Sequence, residues 1–310
     1  MIELIIGLLA TTMATSTVLI LASLGETIVE RGGILNLGIE GIMLIGAFSG
    51  FIGAYFTKNL WIGLLMAIIG GILIAIIFGF LIIKLNLNQV ISGLAINLLT
   101  YGLCLYFFRY IFSQGALPYL SELITPIPIP FLSQIPIIGP IFFNQTIFVY
   151  IAFISTPIVY YLLFKTSFGL RLRAIGEDPS IAYRLGIKVD KLRFIALILE
   201  GIFVGMAGGM LCISMFNVFD VRITGAKGFV AISIVILGRW NPIGAFGGAL
   251  IFGFTEALSL WIGTLIVGPL SASMSQLLSI LPYSVAIIAL LIGGRRAKGP
   301  ASLGSIFLKE

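Results

Sequence analysis

The chain has 310 residues, of which 59% are apolar and only 10% charged, and its net charge is +6. Soluble domains carry about 25% charged residues, so a water-soluble enzyme is excluded as the default class. The absence of histidine also excludes histidine metal sites and histidine general bases. The mean hydropathy of +1.17 indicates a polytopic membrane protein. The positive charge then reflects basic loops beside a membrane, and we expect no nucleic-acid binding.

Apolar runs of about 20 residues recur along the chain, which predicts an all-α, polytopic membrane helical bundle. We expect about eight to ten spans, including broken or re-entrant segments. A β-barrel would instead show short segments that alternate apolar and polar residues. The run at 226–238 is too short for a straight crossing, which makes it the candidate for such a segment. The predicted runs are 4–24, 38–57, 60–83, 89–112, 144–164, 194–216, 226–238, 243–267 and 271–292.

We treat residues 1–310 as a single transmembrane domain with three distinctive connecting segments. The 113–143 segment has six prolines and one charge, which predicts an irregular external loop. The 165–193 segment and the 293–310 tail together hold eleven of the 18 basic residues. The positive-inside rule therefore predicts that both are cytoplasmic, and counting spans back predicts an external N-terminus.

The cytoplasmic segment is predicted to contain one short helix, at 179–185. Asp178 is a typical N-cap residue, Pro179 suits the first helical position, and Gly186 suits the C-terminal stop. Such a short helix needs something to dock on, either the lipid surface or a groove on a cytoplasmic partner. Its predicted apolar face consists of Ile181, Ala182 and Leu185.

Three blocks of sequence resemble one known family. The pattern Arg173-Ala174-x-Gly176, followed by Ala182 and Gly186-Ile187, is similar to the coupling loop of ABC-importer permeases for branched-chain amino acids, ribose and nucleosides. Blocks at 31–47 and 228–245 resemble the same family in the same order, the first of them its nucleoside-uptake branch. Ile181 departs from the family pattern, in which a second alanine is common. The resemblance implies that ATPase coupling involves Arg173, Gly176, Asp178, Pro179, Ile181, Ala182, Leu185 and Gly186.

The resemblance implies a non-catalytic permease subunit in the cell (inner or plasma) membrane, surrounded by lipid. We expect no metal or cofactor on this chain, because ATP would bind a separate subunit and no phosphate-loop motif is present. The implied partners are a second, longer permease, one or more cytoplasmic ATP-binding subunits and an extracytoplasmic solute-binding lipoprotein. At 310 residues this chain is similar to the shorter permease of nucleoside systems.

A nucleoside path would require aromatic surfaces and uncharged hydrogen-bonding groups, since the solute is polar, flat and neutral. Such residues also serve as ordinary contacts between helices, and that alternative stays open. A pentose or a branched-chain amino acid is the alternative solute within the family. The path candidates inside the apolar runs are Asn36, Phe48, Asn88, Gln89, Ser92, Asn97, Asn217 and Phe229.

Charges within the apolar runs offer an alternative of another class. Glu200 and Glu256 are expected to face the bundle interior, because a charge facing lipid is costly. They would pair with Arg222 or Arg239, form structural hydrogen bonds, or act as ion carriers in a secondary transporter. A second charged group, near a glycine-rich break, is either a gate or a solvated helix end and comprises Glu26, Glu30, Arg31 and Glu40.

Overall fold

The computed structural model describes residues 2–112, 118–265, 280–293 and 298–307. It confirms the all-α class, since the described strands are only two short ones, β1 (Ile127–Pro128) and β2 (Asn144–Gln145), paired antiparallel within and just after the proline-rich segment. The helices are α1 (Ile2–Arg31), α2 (Ile39–Thr57), α3 (Leu60–Gly79), α4 (Gln89–Ile111), α5 (Ile147–Lys165), α6 (Ser167–Glu177), α7 (Pro179–Arg184), α8 (Val189–Met210), α9 (Lys227–Leu237), α10 (Pro242–Leu265) and α11 (Leu281–Gly293).

Seven described helices are long and apolar enough to cross a membrane, namely α1 to α5, α8 and α10. Single stretches of π-helix extend α3 through Phe80–Lys84 and α8 through Leu211–Phe216. Helix α8 begins at Val189, so the last residues of the predicted 165–193 loop already belong to a span. Residues 271–279 of the run predicted at 271–292 lie outside the described residues. The count of seven therefore refers to the described residues, and the eight to ten spans expected for the whole chain stay a prediction.

The bundle has two ends that can be told apart by their contacts. At the end that we call the coupling end, the Arg31 Nε at the close of α1 donates to the Trp240 carbonyl at 2.8 Å, and Arg31 also packs against Gly176 of α6. At the opposite end, the Leu120 amide donates to the Asn217 carbonyl at 2.7 Å. Helices α7, α6 and the tail at 298–307 all gather at the coupling end.

Helices α2, α3 and α8 pack backbone to backbone through glycines. A Cβ at Gly205 of α8 would lie 2.6 Å from the Ala67 carbonyl oxygen of α3. A Cβ at Gly208 would overlap the Met43 carbonyl oxygen of α2. In a bilayer the association of helices depends on such close packing, since apolar burial offers little there. These contacts form the rigid center of the fold.

The predicted broken segment is present between α8 and α9. The chain leaves the opposite end at Asn217 and becomes helical again only at Lys227. Helix α9 then runs to Leu237, just before Trp240 at the coupling end. Lys227 pairs with Glu256, which lies fourteen residues, or about 21 Å, along α10. The hydrocarbon core is about 30 Å thick, so α9 is a half-helix whose N-terminus lies deep in the membrane.

Replacing Gly208 by alanine should destabilise the fold by about 1–3 kcal/mol, because the new methyl group overlaps the α2 backbone. The measurement is the melting temperature of the purified chain in detergent. Gly102 in α4 is the matched control, since nothing lies within 4 Å of a Cβ there. Gly102→Ala should be neutral or slightly stabilising, because alanine favours a helix. Equal melting temperatures for both variants would contradict the packing argument.

Candidate coupling loop and solute path

The short helix predicted at 179–185 forms as α7. The Asp178 Oδ1 accepts hydrogen bonds from the amides of Ser180 and Ile181, both at 2.9 Å. Pro179 occupies the first helical position. Gly186 has φ of +81°, the left-handed conformation that ends helices and that glycine adopts without strain. The local sequence alone therefore determines both ends of α7.

The predicted apolar face of α7 is divided between two environments. Ile181 and Leu185 have exposed fractions of 57% and 76% and point away from the protein. Ala182 is only 2% exposed and packs in a small core with Ile175 and Val189. The prediction that all three form one face is wrong, because Ala182 anchors the helix. Ile181 and Leu185 form an exposed apolar surface, joined by the partly exposed Tyr183.

Gly169 and Gly176 serve close packing rather than turns. Both lie inside α6, and neither has a positive φ. A Cβ at Gly176 would overlap the Arg31 carbonyl oxygen, and one at Gly169 would overlap the Leu162 carbonyl oxygen. Gly176 therefore allows α6 to pack directly on the coupling end of α1, and Gly169 allows it to pack on the end of α5. Arg173 stacks beside this contact, with its guanidinium 4.9 Å from the Phe164 ring center.

The C-terminal tail joins the coupling loop to the rest of the bundle. The Ser302 amide donates to the Gly176 carbonyl at 2.9 Å, and the Gly304 amide donates to the Gly33 carbonyl at 3.2 Å. The Gln89 Nε2 of α4 donates to the Ser305 carbonyl at 2.9 Å. One short segment therefore contacts α6, the α1–α2 turn and α4.

Four of the predicted path residues lie together, beside the turn at 34–41. The Gln89 Oε1 accepts from the Leu35 amide at 2.8 Å. Asn97 accepts from the Gly41 amide through Oδ1 and donates to the Leu37 carbonyl through Nδ2. The other two members are Asn36, which is discussed next, and Ser92, which is buried on the same side of α4 as Gln89.

Asn36 bridges two buried carboxylates. Its side-chain Nδ2 donates to both carboxylate oxygens of Glu200 in α8, each at 2.9 Å. Its backbone amide donates to the Glu26 Oε1 at 3.4 Å. Glu30, one turn further along α1, accepts a hydrogen bond from the Trp240 indole. Glu26, Glu30 and Glu200 are fully buried, so the predicted solvated helix end is wrong for the two carboxylates of α1.

The remaining path candidates lie apart from this turn. Asn88 is the N-cap of α4, where its Oδ1 accepts from the Val90 and Ile91 amides. Asn217 and Phe48 are toward the opposite end, where the Phe48 ring lies 5.3 Å from that of Phe219. Phe229 is exposed near the N-terminus of α9. The sequence candidates therefore fall in separate regions rather than in one site.

A cavity of about 640 Å³ opens at the opposite end, between the α2–α3 turn and the 118–122 segment. Its wall includes the aromatic rings of Tyr55 and Tyr119 and the charged side chains of Lys58 and Glu122. An aromatic cluster lies against this wall, since Tyr55 contacts both Phe51 and Phe112. The other described members of that cluster are Phe48, Phe56, Phe108 and Phe219.

The N-terminus of the half-helix α9 is bound by Glu40, which the sequence predicts to belong to a gate or to a solvated helix end. The Glu40 carboxylate accepts from the Ala226 amide at 3.0 Å and from the Gly228 amide at 2.7 Å. Lys227, between these amides, forms an ion pair with Glu256 at 2.9 Å. The predicted pairing of Glu256 with Arg222 or Arg239 is wrong, while the expected structural hydrogen bonds are confirmed for Glu200.

Sequence reasoning missed two features of this region. The Lys227–Glu256 pair had a usable signal, because Lys227 is the one basic residue inside the short run at 226–238. The contacts of the tail had no usable sequence signal, since Ser302 and Gly304 are small residues with no periodic pattern around them. A backbone segment that docks through its amides leaves little trace in the identity of its side chains.

The family model described as a branched-chain amino acid transport system permease component matches residues 8–293. The chain belongs to this family and is a non-catalytic permease subunit of an ABC importer in a membrane. Such a subunit works with a second permease and with ATPase subunits that bind the ATP. Family membership also decides against an ion-coupled secondary transporter.

The chain is similar in sequence to two named relatives and in fold to one solved structure. A protein of Haloferax volcanii named as a glucose ABC transporter permease is 39% identical over 82% of this chain and 77% of its own. The guanosine ABC transporter permease NupQ of Bacillus subtilis is 35% identical over 96% of this chain and 95% of its own. An inward-facing ABC transporter structure of metal-chelate type shares the fold, with a TM-score of 0.54 at 15% identity over 92% of this chain and 85% of that one.

Replacing Asn36 by leucine should strongly destabilise the protein, since both Glu200 oxygens lose their donor inside the bundle. Leaving a buried acceptor without its donor typically costs about 1–3 kcal/mol, and more when the acceptor is charged. The measurement is the yield and melting temperature of the chain in detergent. Asn88→Leu is the matched control, because it removes a cap worth about 1 kcal/mol. Normal stability combined with lost uptake would instead assign Asn36 to the solute path.

Proposed function

We propose that this chain is the shorter permease of an ATP-driven nucleoside importer and that α7 is its ATPase dock. The exposed surface of Ile181, Tyr183 and Leu185 carries the proposal, because a protein rarely leaves such a surface on a rigidly held helix without a partner. Ala182, Gly176 and the tail contacts hold the base of the helix, so a movement of α7 is passed to α1 and α4.

A neutral solute is supported by the N-terminus of α9. A half-helix N-terminus deep in a membrane is a typical partner for a substrate carboxylate. Here that position is already filled by the Glu40 carboxylate, which accepts from two of the exposed amides. An amino acid would compete with Glu40 for this position, whereas a nucleoside or a sugar would not. The end-to-end similarity to the guanosine permease NupQ favours the nucleoside. A sugar is the alternative, given the glucose permease relative.

We place the coupling end in the cytoplasm, so that the basic 165–193 loop and the 293–310 tail are inside and the N-terminus is external. The cavity at the opposite end then faces the outside, below the 113–143 loop. Its aromatic and polar wall suits a nucleoside handed over by an extracytoplasmic binding lipoprotein. The path from there continues toward Phe229, with Phe48 and Asn217 beside it. The remaining polar candidates support the fold around this path.

Replacing Leu185 by aspartate should abolish binding of the ATPase subunit, because it places a charge in the center of the docking surface. Copurification of the ATPase with the tagged permease pair measures this, and at least a tenfold loss is expected. The control is Leu132→Asp at an exposed leucine of the proline-rich segment, which should leave copurification unchanged. Undiminished copurification of Leu185→Asp would contradict the docking role of α7.

The proposed function is tested by uptake of labelled uridine into cells that express the chain with its second permease, ATPase and binding protein. Uptake should depend on ATP, should persist when the ion gradient is collapsed, and should be competed by guanosine but not by glucose, ribose or leucine. A strain without this chain is the background. ATP-dependent uptake of glucose or ribose alone would retain the family and overturn the nucleoside.

A further inference from the structure

We infer that the Lys227–Glu256 pair and the cavity beside it form a contact site for the vicinal hydroxyl groups of the solute, deep in the membrane. The inference rests on the proposed function and adds to it the part of the solute that the permease recognises. It depends on three observations: the depth of the pair, the cavity next to it and the charges on the neighbouring broken segment.

The ion pair lies within the membrane-spanning part of the bundle, where charged side chains cost free energy. Lys227 begins the half-helix α9, and Glu256 is about 21 Å along α10. The two side chains are partly accessible, with exposed fractions of 14% and 22%. Accessible charges at this depth face a water-filled path or another protein, since contact with lipid is unfavourable.

A cavity of about 180 Å³ adjoins the pair. Small-molecule pockets that enclose a whole ligand measure about 300–1,000 Å³, so this one has room for one ring of a nucleoside. Glu256 and Lys227 share its wall with Ser259 and Tyr283, and its apolar side includes Phe252. The mixture of one apolar face and several hydrogen-bonding groups is suited to a sugar ring.

The chemistry of the pair matches adjacent hydroxyl groups. The ion pair is formed through the Glu256 Oε1, and a carboxylate has about four acceptor positions on its two oxygens. It can therefore accept from two neighbouring hydroxyls while the lysine ammonium donates to one of them. The Tyr283 hydroxyl donates to the Gly225 carbonyl at 2.6 Å, which ties α11 to the break in the chain beside the cavity.

The broken segment continues this polar surface toward the opposite end. Asp220 and Arg222 are exposed on the stretch that descends from Asn217. The Arg222 amide donates to the Asp220 Oδ1 at 2.7 Å, so the turn is held locally and its charged groups point outward. Exposed charges on this side, followed by Lys227 and Phe229, indicate one continuous wall of the solute path rather than a surface covered by lipid.

The test compares uridine with 2′,3′-dideoxyuridine, which lacks the vicinal hydroxyls, in proteoliposomes containing the assembled importer. Glu256→Gln should lower the initial uptake rate of uridine at least tenfold and that of the dideoxy compound less than twofold. Discrimination by the binding protein cancels, because the same binding protein is used with every variant. Glu3→Gln, which changes an exposed glutamate at the start of α1, is the matched control and should leave both rates unchanged.

A second variant separates solute contact from a structural ion pair. The double exchange Lys227→Glu with Glu256→Lys keeps the pair but exchanges its ends. Recovery of the wild-type ratio of the two rates would show that only the pair matters and would overturn the inference. An equal loss of both rates in Glu256→Gln, or equal wild-type uptake of both compounds, would also overturn it. Absence of wild-type uridine uptake would overturn the proposed function, and this inference with it.

Discussion

An unwound stretch of chain inside a bilayer is stable only if protein groups bind its backbone polar atoms, because lipid offers none. In this permease Glu40 meets that requirement from α2, through the Ala226 and Gly228 amides. Gly228 has to be a glycine, since a Cβ there would lie 2.7 Å from the Glu40 backbone. The break between α8 and α9 therefore depends on the position of α2, which in turn depends on the glycine contacts with α8.

The same requirement applies to the buried carboxylates at the end of α1, beside α6. Helix α1 carries Glu26 and Glu30 in its last turns and ends at Arg31, against which α6 packs. Asn36, in the turn after α1, joins Glu26 of α1 to Glu200 of α8. A displacement of the coupling loop thus acts first on buried, hydrogen-bonded groups rather than on a flexible linker. Such groups transmit movement well, because each has few alternative partners.

The sequence predicts the helical class, the approximate spans and α7 with its caps, since each depends on residues that are neighbours in the chain. Asp178, Pro179 and Gly186 act within one turn of the helix that they delimit. It predicts poorly which polar residues contact solute. Asn36, Gln89 and Asn97 have the right chemistry for a path. Asn36 instead binds the Glu200 carboxylate, whereas Gln89 and Asn97 bind backbone atoms of the 34–41 turn. Their partners are up to 216 residues away in sequence, and no local pattern specifies them.

The tail that binds the coupling loop also sets an order of events during synthesis. The amide and the hydroxyl of Ser302 both donate to the Gly176 carbonyl. Gly176 leaves the ribosome 126 residues before Ser302 does. At about 5–20 residues per second, the nascent chain spends roughly 6 to 25 seconds with α6 and α7 complete but lacking the tail. A subunit whose translation stops early would present α7 on an unfinished base. With α7 as the proposed ATPase dock, assembly with the ATPase would follow completion of the whole permease.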